Sequence, residues 1–154
     1  MPPPSPYKHL DLLETVKKVF KLPSNKLQFV AEDLQIGSKL AHEGWDLWRK
    51  CREGDEAAWR KMERYNKQDV SLLIKLYNRI KPWISNHPNA GLYQEGNVCT
   101  CSTCGSKNVQ QRGYYHTQAA VFKRWVCNDC GDWSRSRWSD TTTEKRKSNL
   151  VAAV

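Results

Sequence analysis

Cys101-Ser102-Thr103-Cys104-Gly105-Ser106 is matched, with 22 residues between Cys104 and Cys127, by Cys127-Asn128-Asp129-Cys130-Gly131-Asp132. Two residues between cysteines bring both thiolates of one turn to a single ion, and the glycine after each pair permits a tight backbone approach. Two such turns complete a tetrahedral four-sulfur site, so Cys101, Cys104, Cys127 and Cys130 are read as the ligands of a structural zinc ion. The segments 109–115 and 121–126 between the knuckles read as β-strands, with a third strand expected over 133–138. The pattern predicts a small zinc ribbon over residues 99–138.

The ribbon interleaves cations with aromatic rings. Arg112, Lys123, Arg124, Arg135 and Arg137 alternate with Tyr114, Tyr115, Phe122, Trp125, Trp133 and Trp138. Phosphate-binding charges next to surfaces on which bases stack point to nucleic acid. Arg112, Tyr114, Lys123, Arg124, Trp125, Trp133, Arg135 and Arg137 are therefore the candidate nucleic-acid contacts. Alternation along the third strand predicts Trp133, Arg135 and Arg137 on one face and Trp138 on the other. A plainer alternative is that the metal replaces a core too small to fold alone, with the aromatics packed around it. Cys99-x-Cys101 makes a poorer knuckle than Cys101-x-x-Cys104-Gly, so Cys99 is read as a bystander, and Cys51 as a partly buried free thiol.

Charge agrees with this assignment. The chain of 154 residues carries 25 basic and 16 acidic side chains, a formal +9, with seven tryptophans. Residues 99–154 hold 9 of the basic and 4 of the acidic groups, so +5 of the charge lies in the shorter part. A basic, aromatic-rich chain points first to nucleic acid. No apolar run approaches the roughly 18 residues of a membrane span. Met1-Pro2-Pro3-Pro4-Ser5-Pro6 lacks the features of a signal peptide, which predicts a reducing cytoplasm in which cysteines hold metal.

Upstream of the ribbon the sequence reads as helical. Leu12, Leu13, Val16, Val19 and Phe20 follow helical spacing until Pro23, and Ser24 or Asn25 is placed to cap a second helix with Leu27, Val30, Ala31 and Leu34, stopped by Gly37. A short segment around Trp45 and Trp48 ends at Gly54. Asp55 then caps the longest helix, expected to run to Ile80 before Pro82, with Trp59, Met62, Leu73, Leu76, Tyr77 and Ile80 as its apolar positions. Residues 85–98, rich in Asn, Gly and Pro, read as a linker, and 139–154 as a mobile tail.

Tyr65 and Asp69 lie one turn apart on that long helix. Together with Tyr7-Lys8-His9-Leu10-Asp11-Leu12-Leu13, Ser24-Asn25-Lys26-Leu27 and Pro82-Trp83-Ile84-Ser85-Asn86-His87-Pro88-Asn89, the stretch Tyr65-Asn66-Lys67-Gln68-Asp69-Val70 resembles the C-terminal half of phage and bacterial 3′–5′ exonucleases of the DnaQ-like, ribonuclease H-like superfamily. In the tyrosine-bearing branch Tyr-x-x-x-Asp is the last catalytic motif, and some members end in a Cys-x-x-Cys module. The resemblance implies two-metal phosphodiester hydrolysis, with Asp69 as the last carboxylate on magnesium or manganese and Tyr65 orienting the attacking water. It also implies that Asp11 lies in a strand.

The same resemblance places the first two carboxylate motifs and the first strands ahead of Met1, so three of the four carboxylates are expected to be missing from this sequence. The expected fold is α+β: a mostly helical, partial ribonuclease H-like domain over residues 1–84, the linker, then the ribbon. The expected function is a nucleic-acid-binding C-terminal portion of such an exonuclease, inactive alone or completed in trans by a protein partner carrying the missing motifs. A non-catalytic ribbon protein that binds DNA or RNA, and a structural or interaction protein, are the alternatives.

Overall fold

The computed structural model describes residues 8–40 and 44–152; Met1, Tyr7 and the last two residues of the tail lie outside them. The described residues form an α+β arrangement of five α-helices and one three-stranded antiparallel sheet. The described residues divide into two compact units, one within 11–80 and the other of 8–10 with 81–152.

The helical unit holds α1 (Leu12–Val19), α2 (Leu27–Asp33), α3 (Trp45–Arg52) and α4 (Glu56–Ile80). Asp11 sits in no strand. Its carboxylate accepts hydrogen bonds from the Leu13 and Glu14 N–H groups at 2.8 and 3.3 Å, so it caps α1 instead. Neither Ser24 nor Asn25 caps α2. Lys26 occupies the cap position without a side-chain bond, and the Ser24 hydroxyl accepts from the Lys26 N–H. The stop of α2 also falls earlier than Gly37. Ile36 N–H reaches Ala31 O and Gln35 N–H reaches Glu32 O, with Gln35 in the left-handed region at φ 55°. The end of α3 follows the same hydrogen-bond pattern with Gly54 at the left-handed position (φ 88°), and Asp55 N–H closes onto Lys50 O. Asp55 then turns its carboxylate to the Ala57 and Ala58 N–H groups at 2.8 and 3.2 Å, starting α4. Asp55→Ala should cost about 1 kcal/mol in denaturant unfolding of the full chain, the usual effect of losing such a cap.

Two apolar clusters hold this unit together. Val16 and Val30 meet Leu76 and Ile80 of α4, with Leu12, Phe20, Leu22 and Leu34 around them. Leu47 and Cys51 of α3 meet Ala58 and Met62, with Tyr65 packed against them. The buried stripe of α4 is therefore Ala58, Met62, Leu72, Leu76 and Ile80. Trp59 and Leu73, expected in that stripe, are exposed. Tyr65 and Asp69 continue the stripe across the middle of the helix at the same three- and four-residue steps.

The ribbon unit pairs β1 (Val109–His116), β2 (Val121–Cys127) and β3 (Trp133–Arg135) in the order β1-β2-β3. Register runs Tyr115 against Phe122, Gln111 against Trp125, Arg124 against Arg135 and Val126 against Trp133. A bulge interrupts β1 between Gln111 and Tyr114, where Gly113 takes φ 68°. β3 is regular only to Arg135, yet Ser136 N–H still donates to Lys123 O and Asp140 N–H to Val121 O. The segment beyond it is not a free tail. Thr141 Oγ1 accepts from the Val121 N–H at 2.8 Å, Thr142 caps a short helix α5 (Thr143–Ser148), and the Asn149 amide donates to Gln118 O. Threonine hydroxyls here satisfy backbone groups that a solvated tail leaves to water. The segment read as a linker is tied down too: Ala90 N–H donates to Ser102 O at 2.7 Å, and the Gln94 side chain lies over Gly105.

Candidate functional site

The two knuckles have the same backbone. In the first, Gly105 N–H donates to Cys101 O and Cys101 N–H to Ser106 O; in the second, Gly131 N–H donates to Cys127 O and Cys127 N–H to Asp132 O. Both glycines take φ between 73° and 78°, the left-handed turn that lets each cysteine pair curl around one point. The sulfurs of Cys101, Cys104, Cys127 and Cys130 all lie within 4.8 Å of one another, and two pairs stand 3.6 Å apart. Tetrahedral Zn–S bonds of 2.3 Å put sulfurs about 3.8 Å apart, so this donor set fits one such ion. Cys99 is exposed and takes no part, while Cys51 is buried in the helical unit.

Burial pushes the Cys101 and Cys130 thiols above their ordinary value. Burial acts to raise Cys127 as well, but the Cys130 and Asp129 N–H groups aimed at its sulfur bring it lower overall. A bound divalent cation overrides such shifts, because it takes the thiolate outright. Two carboxylates brace the knuckles from outside. Asp132 accepts the hydroxyls of Thr103, Ser102 and Ser134 at 2.9, 3.2 and 3.2 Å, tying the first knuckle to β3. Asp129 accepts from Ser106 and from the Asn108 amide, and these two donors hold its carboxyl below the usual range.

The ribbon's predicted nucleic-acid contacts divide between its two faces. Register places Tyr115, Phe122, Arg124, Trp133 and Arg135 on one face. There the Arg124 guanidinium lies 4.0 Å over the Trp133 ring, and Arg135 lies 4.2 Å over Phe122 and 5.8 Å over Tyr115. Tyr114, Lys123 and Trp125 occupy the other face, where Trp125 and Lys123 border a cavity of about 360 Å³ beside Cys101 and Cys127. Arg112 sits at the bulge, and Arg137, beyond the regular strand, stacks on Trp138 at 5.6 Å. The strand residues of the first face include no carboxylate.

In the helical unit Tyr65 and Asp69 share a partner that spacing did not reveal. Lys39 Nζ donates to Asp69 Oδ2 at 2.7 Å and to the Tyr65 hydroxyl at 3.1 Å, and lies 5.3 Å from the Tyr65 ring centre. Gln68 positions the lysine's loop by donating to Ser38 O. The other Asp69 oxygen, Oδ1, is buried with no hydrogen-bond partner among the described residues. A carboxylate on the buried stripe of a helix needs a cation, and that was the available signal for Lys39.

A family model of the RNase H superfamily matches residues 1–81. The chain belongs to the RNase H superfamily. No curated protein and no solved structure matches it. The matched residues of this superfamily member contain Tyr65, Asp69 and Lys39 and stop short of the ribbon.

The bare Oδ1 of Asp69 suits a cation, but no group of three metal-ligating side chains forms around it among the described residues. Asp69 and Tyr65 alone do not hold the ion pair of two-metal hydrolysis. What this constellation does hold is a charge. The hydrogen bond to Asp69, opposed by partial burial and supported by Tyr65, raises the Lys39 ammonium above 10.5. A raised lysine contributes its stabilisation fully below 10.5 and loses it as pH climbs through the raised value. Lys39→Met should therefore cost about 1–2 kcal/mol at neutral pH by stranding Asp69. Urea unfolding should find the variant's deficit shrinking above pH 10.5.

Proposed function

We propose that this chain binds DNA or RNA through its ribbon and that its RNase H-like segment belongs to a 3′–5′ exonuclease of the DnaQ-like, tyrosine-bearing type. The observation that carries the reading is the acid-free face on which Arg124 covers Trp133 and Arg135 covers Phe122. Guanidiniums take phosphates while the rings offer stacking surfaces. Zinc in the four-cysteine site holds this face together, and the reduced thiols it needs fit a cytoplasmic setting, that of a bacterial host if the chain is phage-encoded.

Asp69 and Tyr65 are this segment's share of a cleavage site. Asp69 with its free Oδ1 supplies one carboxylate toward magnesium or manganese, and Tyr65 supplies a hydroxyl one helical turn away. The remaining carboxylates come from outside the described residues, supplied in trans by a partner polypeptide. Lys39 holds Asp69 until then.

Oligonucleotide binding followed by fluorescence anisotropy tests the reading. Affinity should fall steeply with salt as phosphate contacts release counterions. Asp69→Ala should leave that affinity within about twofold, since it removes no phosphate-binding group. Residues 1–154 alone should show no metal-dependent cleavage, and co-expression with a polypeptide bearing an Asp-x-Glu strand should restore cleavage that Asp69→Ala abolishes. Salt-insensitive or absent binding would favour a purely structural ribbon.

A further inference from the structure

The segment after β3 builds something that the ribbon alone does not have. Residues 139–149 return along β2, and α5 with Asn149 closes over the turn between β1 and β2. Between them lies a cavity of about 440 Å³, bordered by Phe122, Arg137, Trp138, Arg146 and Asn149. No carboxylate borders it. Its volume falls within the roughly 300–1,000 Å³ of small-ligand pockets.

Three properties of this pocket point to one ligand chemistry. Trp138 is 78% exposed, and with the Arg137 guanidinium 5.6 Å over one side of its ring the other side is open for stacking. Arg137 and Arg146 have no carboxylate partner among the described residues, so both charges are free for an anion. Phe122 belongs both to the pocket wall and to the face carrying Arg124, Trp133 and Arg135, so the two surfaces are continuous.

We propose that the pocket receives one nucleotide of a single-stranded nucleic acid, whose neighbouring nucleotides lie along the Phe122, Arg135, Arg124 and Trp133 face. The base stacks on Trp138, and the flanking phosphates meet Arg137 and Arg146. A single strand is the occupant because its base faces are open, whereas a duplex buries them against each other and offers aromatic side chains nothing to stack on. This proposal rests on the ribbon being a nucleic-acid surface, and it names the form of nucleic acid.

The full, zinc-loaded chain should be titrated against fluorescein-labelled dT12, U12 and a 12-base-pair duplex at several salt concentrations. Both single strands should bind at least about tenfold more tightly than the duplex. Trp138→Ala should weaken single-strand binding about five- to fiftyfold without changing the salt slope, and Trp138→Phe should restore most of it. Arg146→Gln, at an exposed position of α5, should lower the slope by about 0.7. Zinc content and far-UV circular dichroism matching the unsubstituted chain would establish that the variants fold, and Arg146→Gln carries the test if Trp138→Ala does not. If the chain binds oligonucleotides but both variants bind as tightly and with the same slope, the pocket is refuted and the ribbon reading stands. Equal or tighter duplex binding, or displacement of dT12 by polyglutamate at equal charge, would overturn the single-strand assignment. No binding to any of the three would overturn both this proposal and the ribbon reading.

Discussion

Removing the metal from the four-cysteine site should unfold the ribbon and abolish nucleic-acid binding with it. Between residues 99 and 138 the buried positions are Cys101, Thr103, Gly105 and Cys127, which means that the interior of the ribbon is its knuckles. β1 is exposed along its length from Gln110 to His116, and its partner β2 buries only Cys127. A sheet with so little apolar surface removed from water cannot offset the backbone entropy of ordering some forty residues, at about 1–2 kcal/mol each, without another source of free energy. A four-thiolate zinc site supplies about 10–16 kcal/mol in comparable small domains. Chelation in reducing buffer, or Cys127→Ser, should therefore eliminate the β contribution to circular dichroism and reduce binding by more than about a hundredfold. The helical signal should persist, because α1 to α4 bury their own clusters around Val16, Ile80, Leu47 and Met62. Metal analysis should return one zinc per chain. Cys99→Ser should change none of these readouts, its thiol being exposed and outside the cluster. A chelated ribbon that keeps its sheet would show that the aromatic packing, not the metal, is the core.

The ribbon was legible because its chemistry is local. A Cys-x-x-Cys-Gly turn fixes its own geometry within six residues, so both knuckles and the starts of all three strands could be placed from spacing. Lys39 was not legible, since it reaches Asp69 across 30 positions of sequence and is aimed there by a loop whose path depends on Gln35, Gly37 and Gln68. The Asp55 cap and Pro82 gave both ends of α4, and its apolar periodicity marked it as a helix. That periodicity placed Met62, Leu76 and Ile80 on the buried face but added Trp59 and Leu73, which are exposed, while the stripe between Met62 and Leu72 passes through Tyr65 and Asp69. A polar pair inside an apolar stripe is the kind of break in a helical pattern that a functional site produces. Residues 139–149 read as a tail because they are polar, yet threonine hydroxyls and an asparagine amide seat them on the hairpin by hydrogen bonds, which hydrophobic patterning does not register.

The second large effect is expected at Leu72, which is fully buried on α4 one turn beyond Asp69. Leu72→Ala should destabilise the helical unit by about 2–5 kcal/mol, the range for emptying a closed core position. Its neighbour makes the prediction sharper. Gly37 has φ 137°, a conformation that side chains rarely adopt, and a Cβ placed there falls 3.0 Å from Leu72 Cδ2. Gly37→Ala therefore carries two costs, backbone strain of about 1–3 kcal/mol and a steric contact with Leu72. In a Leu72→Ala background only the strain remains. Urea unfolding of the two single variants and the double should then give a double-variant loss smaller than the sum, by about 0.5–2 kcal/mol. Strict additivity would mean that residues 35–38 do not rest against Leu72. That result would also weaken the account of Lys39, because the close approach of Gly37 to α4 and the Gln68 bond to Ser38 together place its ammonium within 2.7 Å of Asp69. If the coupling is found, one apolar leucine side chain governs where the Lys39 ammonium shared by Tyr65 and Asp69 can sit.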